Sequence, residues 1–308
     1  MKQLFRKLKP FLRWFILGGT LFFLAKVLKD NWQQVLNIRI NAVGWACLAI
    51  ALGLTLLAHV VGGWTWSRTL HELKQPVNWV WMTQEYLKTN VAKYLPGNVW
   101  HYYGRVNAAK TAGASIEVAA LSVVLEPVLM LAAALLITLL SSQQIFARYG
   151  IPAVLLQVGA LVSVLGAIHP KFLNPLLKLA SKAKQKGDAS PQTPAQGMDH
   201  YPVIPLLGEL GFVLLRATGF LFAFLAISPI SPVDLPLLVS AFSLSWLLGM
   251  VVPGAPGGIG VFEATAIALL SGRYSPAIVL SVVALYRLIS VLSEAAGAGL
   301  AWLDQKRS

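Results

Sequence analysis

"VAALSVVLEPVLMLAAALLITLL" runs from Val118 to Leu140 and carries a single charged side chain, Glu126. Crossing the hydrocarbon core of a bilayer takes ~20 predominantly apolar residues in helical form, because no water is present there to satisfy an open backbone. The stretch reads as a membrane-spanning helix. Its carboxylate, one residue ahead of Pro127, adds a second requirement. A charge at the middle of a span is costly against lipid and belongs on the inside of a bundle. Other spans must therefore pack around it.

The rest of the chain supplies them. Apolar runs at 12–28, 42–63, 151–168, 203–227, 235–252 and 276–303 are candidate spans, with a mixed segment at 80–110 and a short apolar piece at 257–271. Of 308 residues, 56% are hydrophobic and 12% charged, whereas soluble globular chains have about 45–50% and about 25%. The expected fold class is all-α, a polytopic transmembrane helix bundle. It should have about eight membrane segments, one or two of them broken or re-entrant. The single cysteine, Cys47, lies in an apolar run, and His59, His71, His101, His169 and His200 show no ligand spacing. No Ser/His/Asp arrangement and no nucleotide loop are found. No catalytic residue, metal or cofactor is therefore expected; the chain reads as a non-enzyme that does not hydrolyse ATP.

The net charge is +13 and the isoelectric point about 10.0, yet the basic residues hug the spans instead of forming a nucleic-acid patch. Lys2, Arg6, Lys7, Lys9 and Arg13 precede the first run; Lys171, Lys178, Lys182, Lys184 and Lys186 fill the polar stretch 169–201. Short basic segments beside spans stay in the cytoplasm and touch anionic lipid heads. The expected location is the cell (inner or plasma) membrane, with the N-terminus and the 169–201 linker cytoplasmic. The run 12–28 reads as a retained span, because Lys26 stands where a signal peptide would carry small residues. The basic end "DQKRS" favours a cytoplasmic C-terminus and eight crossings; if 80–110 and 257–271 are both re-entrant, seven crossings remain.

The chain divides into a first half, 11–168, and a second half, 202–303, joined by the linker. "LSVV" occurs at Leu121–Val124 and at Leu280–Val283, with Gly113 and Gly272 eight residues before each copy. Pro96-Gly97 and Pro256-Gly257 precede the copies at almost equal distance. This collinearity points to an internal repeat, and Pro/Gly-interrupted segments at corresponding positions point to a site at the repeat interface.

Those interruptions lie in "KYLPGNVWHYYGRV", Lys93–Val106, and "VPGAPGGIGVFEA", Val252–Ala264. The first belongs to a segment too polar to face lipid, with Lys88, Lys93 and Arg105 set among aromatics. It fits either an interfacial amphipathic helix pair or a re-entrant hairpin around Pro96-Gly97. In the second, Pro253, Gly254, Pro256, Gly257, Gly258 and Gly260 precede a short helix containing Glu263. Such a loop suits backbone N–H groups aimed at an anion, or close packing through glycine. Five more charges fall inside predicted spans: Glu126, Glu209, Arg216, Arg287 and Glu294. They are either structural ion pairs or the lining of a pathway. Arg216 and Arg287 are expected to be buried in the bundle near Glu209, Glu263 or Glu294, not facing lipid.

With "KYLPGNVWHYYGR" in one half and "PGAPGGIGVFEA" in the other, the chain resembles the transmembrane-region family of lysylphosphatidylglycerol synthases, over nearly its whole length. The resemblance implies a membrane domain that moves a phospholipid between leaflets. In some relatives it accompanies glycosyltransferases or lipid-linked glycan pathways. Ser308 follows the last span by five residues, so no aminoacyl-transfer domain and no lysyl-lipid synthesis are expected. Lys88, Lys93, Arg105, Gly257, Gly258 and Glu263 would bind an anionic lipid head group. The expected function is lipid transport, with phospholipids or polyprenyl phosphates as partners. The alternatives are a non-transporting scaffold for a glycosyltransferase or other envelope-biosynthesis enzyme, and an enzyme acting on a lipid head group.

Overall fold

The computed structural model describes residues 29, 32–36, 39–94, 99–141, 143–175, 177, 197–252, 258 and 260–306. The expected span 12–28, the N-terminal basic cluster and most of the 169–201 linker lie outside them. So do Pro96, Gly97, Pro253, Gly254, Pro256 and Gly257.

Among the described residues the fold is all-helical. The helices are α1 (Trp32–Leu36), α2 (Ala42–Glu72), α3 (Trp79–Asn90), α4 (Trp100–Thr111), α5 (Ile116–Leu140), α6 (Gln143–Ile168), α7 (Val203–Leu225), α8 (Leu235–Val251), α9 (Val261–Leu270) and α10 (Pro276–Gln305). Short 3-10 turns, Val91–Tyr94 and Pro232–Asp234, follow α3 and precede α8. Six segments are long and apolar enough to cross a membrane: Ala42–Glu72, Ile116–Leu140, Gly150–Ile168, Val203–Leu225, Pro232–Val251 and Pro276–Gln305.

Each helix follows from its sequence. Asn78 caps α3, its side-chain oxygen accepting from the backbone N–H groups of Val80 and Trp81 at 3.0 Å each. α3 and α4 have 12 residues each, about 18 Å at 1.5 Å per residue, too short to cross a bilayer alone. They pack closely where Gly104 faces Thr89; a Cβ on Gly104 would lie 2.7 Å from the Thr89 methyl. Gly150, at φ 70°, breaks α6 ahead of its apolar part. That apolar part is peripheral, with 11% of its window buried against 61% for α5. Leu155, Leu156 and Val162 face outward from it.

The chain forms two compact units. The first comprises Met1–Thr55, Ile137–Gly150 and Arg216–Leu292; the second comprises Leu56–Leu136, Ile151–Leu215 and Ser293–Ser308. The core of the first is aromatic, with Phe220, Phe242, Phe262 and Tyr286 in edge-on and tilted contacts at centroid separations of 5.3–6.4 Å. The second is built on Trp66, Leu70, Met82, Tyr86, Leu125 and Leu129. Trp66 donates its indole N–H to Ser122 at 3.2 Å, so its polar edge stays satisfied in an apolar core.

Candidate functional site

In the second unit six helical segments each deliver one or two polar side chains to a single buried string. Tyr86 on α3 donates its hydroxyl to Glu126 Oε1 of α5 at 2.9 Å, and Arg105 Nη1 of α4 donates to Glu126 Oε2 at 2.5 Å. The guanidinium lies over the Tyr86 ring, 3.7 Å from its centroid, an arrangement that suits a flat cation. Its Nη2 donates to Asn90 Oδ1 at 3.2 Å. Asn90 Nδ2 lies 3.3 Å from His59 Nδ1 of α2. His59 Nε2 lies 3.3 Å from Glu294 Oε1 of α10, and Lys93 Nζ reaches the same oxygen at 2.5 Å.

This order fixes the protons. A guanidinium can only donate, so the atom of Asn90 facing Arg105 must be its oxygen. Its NH₂ then faces His59, whose Nδ1 must accept, leaving the ring proton on Nε2 and pointing at Glu294. His59 is a neutral donor in this state. The string therefore balances two cations, Lys93 and Arg105, against two carboxylates, Glu126 and Glu294. All but Lys93 are buried; Lys93 keeps 24% of its side chain exposed. A membrane interior tolerates charge only when so paired.

Glu209 on α7 is the exception. It is fully buried, and neither oxygen has a hydrogen-bond partner among the described residues. Arg105 and Glu126 lie within its electrostatic reach.

The first unit has its own polar group. Glu263, in the first turn of α9, uses both oxygens. Oε2 accepts from the backbone N–H of Gly260 at 2.6 Å, and Oε1 pairs with Arg287 Nε of α10. The carboxylate thus caps its own helix and neutralises an intramembrane arginine. Gly258, at φ +71°, lies against α8; a Cβ there would meet Gly249 Cα at 3.0 Å. Close packing through glycine, one of the two readings of the loop, accounts for Gly258. Arg216 donates from Nη2 to Ser290 Oγ at 3.3 Å and lies 5.4 Å from the Tyr286 ring centroid. Tyr286 in turn donates to the Arg216 carbonyl at 2.9 Å. Outside the spans, between α9 and α10, Arg273 Nε and the Tyr274 hydroxyl both donate to Asp234, at 3.0 Å each to the nearer oxygen.

The sequence-derived candidates thus fall into two groups. Lys93, Arg105, Glu126, Glu209 and Glu294 gather in the second unit, while Gly258, Gly260, Glu263, Arg287 and Arg216 lie in the first. Lys88 belongs to neither group. It pairs with Glu85 at 2.5 Å and donates to Gln305 at 2.6 Å, at the end of α10. Arg287 meets Glu263 as expected, but it is not buried: 33% of its side chain stays exposed. Tyr86, Asn90 and Ser290 were not foreseen, and His59 was noted in the sequence only for lacking ligand spacing. His59 had one signal, a polar side chain inside the apolar run 42–63. Asn90 had none.

A search of curated proteins finds no match. The model of the family described as the lysylphosphatidylglycerol synthase TM region matches residues 11–297, and the chain is a multi-pass membrane protein belonging to that family.

Proposed function

We propose that this chain moves an anionic lipid between the leaflets of the cell membrane, without itself being an enzyme. The observation that carries the reading is the buried polar string of the second unit, ending at the partly exposed ammonium of Lys93. Structural stability alone does not call for such a string, since a buried ion pair is often no better than well-packed apolar side chains. Intramembrane charges more commonly mark a pathway. Lys93 offers a compact cation to a phosphate, and Glu294 holds it in place while no lipid is bound. The family's name ties it to synthases of an aminoacylated phospholipid. Carried over to this chain, that supports phospholipids or polyprenyl phosphates as cargo. The cytoplasmic placement of the N-terminus and the 169–201 linker belongs to the same proposal.

The test is leaflet exchange in liposomes containing the purified protein, with fluorescent phosphatidylglycerol and a labelled polyprenyl phosphate. Exchange of at least one lipid should exceed that in protein-free liposomes. Lys93→Glu should abolish the excess, and Lys93→Arg should retain much of it. If neither lipid moves faster than the background, the chain is not a transporter. The scaffold reading, with a glycosyltransferase or envelope enzyme as partner, then takes its place.

A further inference from the structure

Among the second unit's buried polar groups without a hydrogen-bond partner are Arg105 Nε and the Glu209 carboxylate. Arg105 commits Nη1 to Glu126 and Nη2 to Asn90, but its buried Nε–H has no acceptor among the described residues. Glu209 is fully buried and accepts no hydrogen bond at either oxygen among the described residues. Charged and titratable groups around it come from α3, α4 and α5. Tyr86 comes from α3, Arg105 from α4 and Glu126 from α5. From α2, His59 contacts Phe212, one turn beyond Glu209, with ring centroids 5.9 Å apart; Glu294 of α10 lies behind His59. Beside Glu209, Gly208 faces Thr65 of α2 so closely that a Cβ would overlap the threonine hydroxyl. One arginine thus stands among two carboxylates, and it is already engaged with Glu126. A bare carboxylate with no hydrogen bond in such surroundings is strongly unfavourable.

We propose that Glu209 is a reversible proton-binding site, and that its proton is the ion to which lipid movement is coupled. The second half of this statement rests on the transport reading above. In the loaded state Glu209 is a neutral carboxylic acid and the string is balanced. On unloading, the O–H bond breaks, the electron pair stays on the carboxylate, and the proton passes to water. The new carboxylate then competes with Glu126 for Arg105, whose Nε–H is the unused donor. A guanidinium drawn toward Glu209 loosens its hold on Asn90. Asn90 orients His59, and His59 shares Glu294 with Lys93. Proton release and the freedom of Lys93 are thereby linked through a continuous set of contacts, the kind of physical path that coupling requires.

The proton site is tested without any transport assay. Infrared spectra of the purified wild-type protein at neutral pH should contain the carbonyl stretch of a protonated carboxylic acid, shifted in deuterium oxide. The band should be absent from Glu209→Gln. A band that survives in Glu209→Gln overturns the assignment, as does the lack of any such band. Dicyclohexylcarbodiimide labelling of the wild-type protein, mapped by mass spectrometry, gives a readout independent of variant folding. Modification at Glu209 that declines as pH rises supports the site; an unmodified Glu209, or labelling indifferent to pH, overturns it.

Coupling is read in the liposomes described above. An imposed pH gradient should bias the exchange of fluorescent phosphatidylglycerol in the wild type. The bias should be lost on adding a protonophore and absent in Glu209→Gln. Wild-type exchange that ignores the gradient overturns the coupling while transport stands. No exchange at all, with the infrared band present, overturns both transport and coupling and leaves the proton site.

Discussion

Arg105 binds a carboxylate, an amide and an aromatic face at once, and the cost of removing it depends on what is left behind. Arg105→Leu strands Glu126 as a buried anion and should destabilise the protein by roughly 3–5 kcal/mol, whereas replacing both partners with apolar residues often costs little. Thermal unfolding in detergent should place Arg105→Leu/Glu126→Leu well above Arg105→Leu alone; additive losses would show that the two side chains do not act as a pair. A second residue-scale prediction concerns Tyr274, outside the spans. Partial burial, followed by its hydrogen bond to Asp234, pushes its phenol up to about 12. The raised value favours the neutral form in the folded state, so its stabilising effect is complete below the unfolded tyrosine value of about 10. It is lost as pH rises through about 12. Ultraviolet titration should therefore show one late-titrating tyrosine fewer in Tyr274→Phe than in the wild type. At this scale the charges were legible in the sequence and their neutral partners were not. Glu126, Glu209, Arg216, Arg287 and Glu294 stand out because charge in an apolar run needs a reason. Asn90 and Ser290 are ordinary in composition, and their partners, Arg105 and Arg216, lie 15 and 74 residues away.

Among the elements, the long helices were legible almost to their ends. The run 276–303 became Pro276–Gln305, and 118–140 became Ile116–Leu140. α2 is the exception, continuing from the expected 63 to Glu72. Hydropathy marks where a helix leaves the apolar layer, whereas backbone hydrogen bonding carries on through Trp64–Glu72. The mixed segment 80–110 resolves into two short helices, α3 and α4. The two halves also share an order of elements. A short helix (α4 or α9) is followed by Gly113 or Gly272 and then by a long helix containing "LSVV" (α5 or α10). In each half an ion pair ties the short helix to the long one with the signs exchanged, Arg105–Glu126 in one and Glu263–Arg287 in the other. The contact of α8 with the segment before α9 depends on Gly258. Gly258→Ala should cost at least ~1–2 kcal/mol from its left-handed backbone alone, before the clash with Gly249. Gly249→Ala has a helical backbone and a longer approach of 3.3 Å, so its loss should be smaller. Equal melting temperatures for the two variants would contradict this account.

For the molecule as a whole, the basic flanks carry the proposed orientation. With Cys47 replaced, a cysteine at Ser190 should react with an impermeant thiol reagent in inside-out vesicles and stay unlabelled in intact cells. Labelling from outside would reverse the proposed topology. The layout of the units has a further consequence, for inheritance and engineering. Four of their boundaries, at 55/56, 136/137, 215/216 and 292/293, fall within α2, α5, α7 and α10 and not in connecting loops, and the fifth, 150/151, lies at the Gly150 break of α6. Independent domains are normally joined by exposed linkers that can be cut, spliced or lengthened. Cutting at the first four would sever helices and leave up to four unpaired N–H and four unpaired C=O groups at each new pair of ends, in an environment with little water to satisfy them. Neither unit can be cloned, exchanged or acquired as a cassette. A chimaera that replaced one would need five matched junctions, four of them in helical register, so the two cores can only be inherited together.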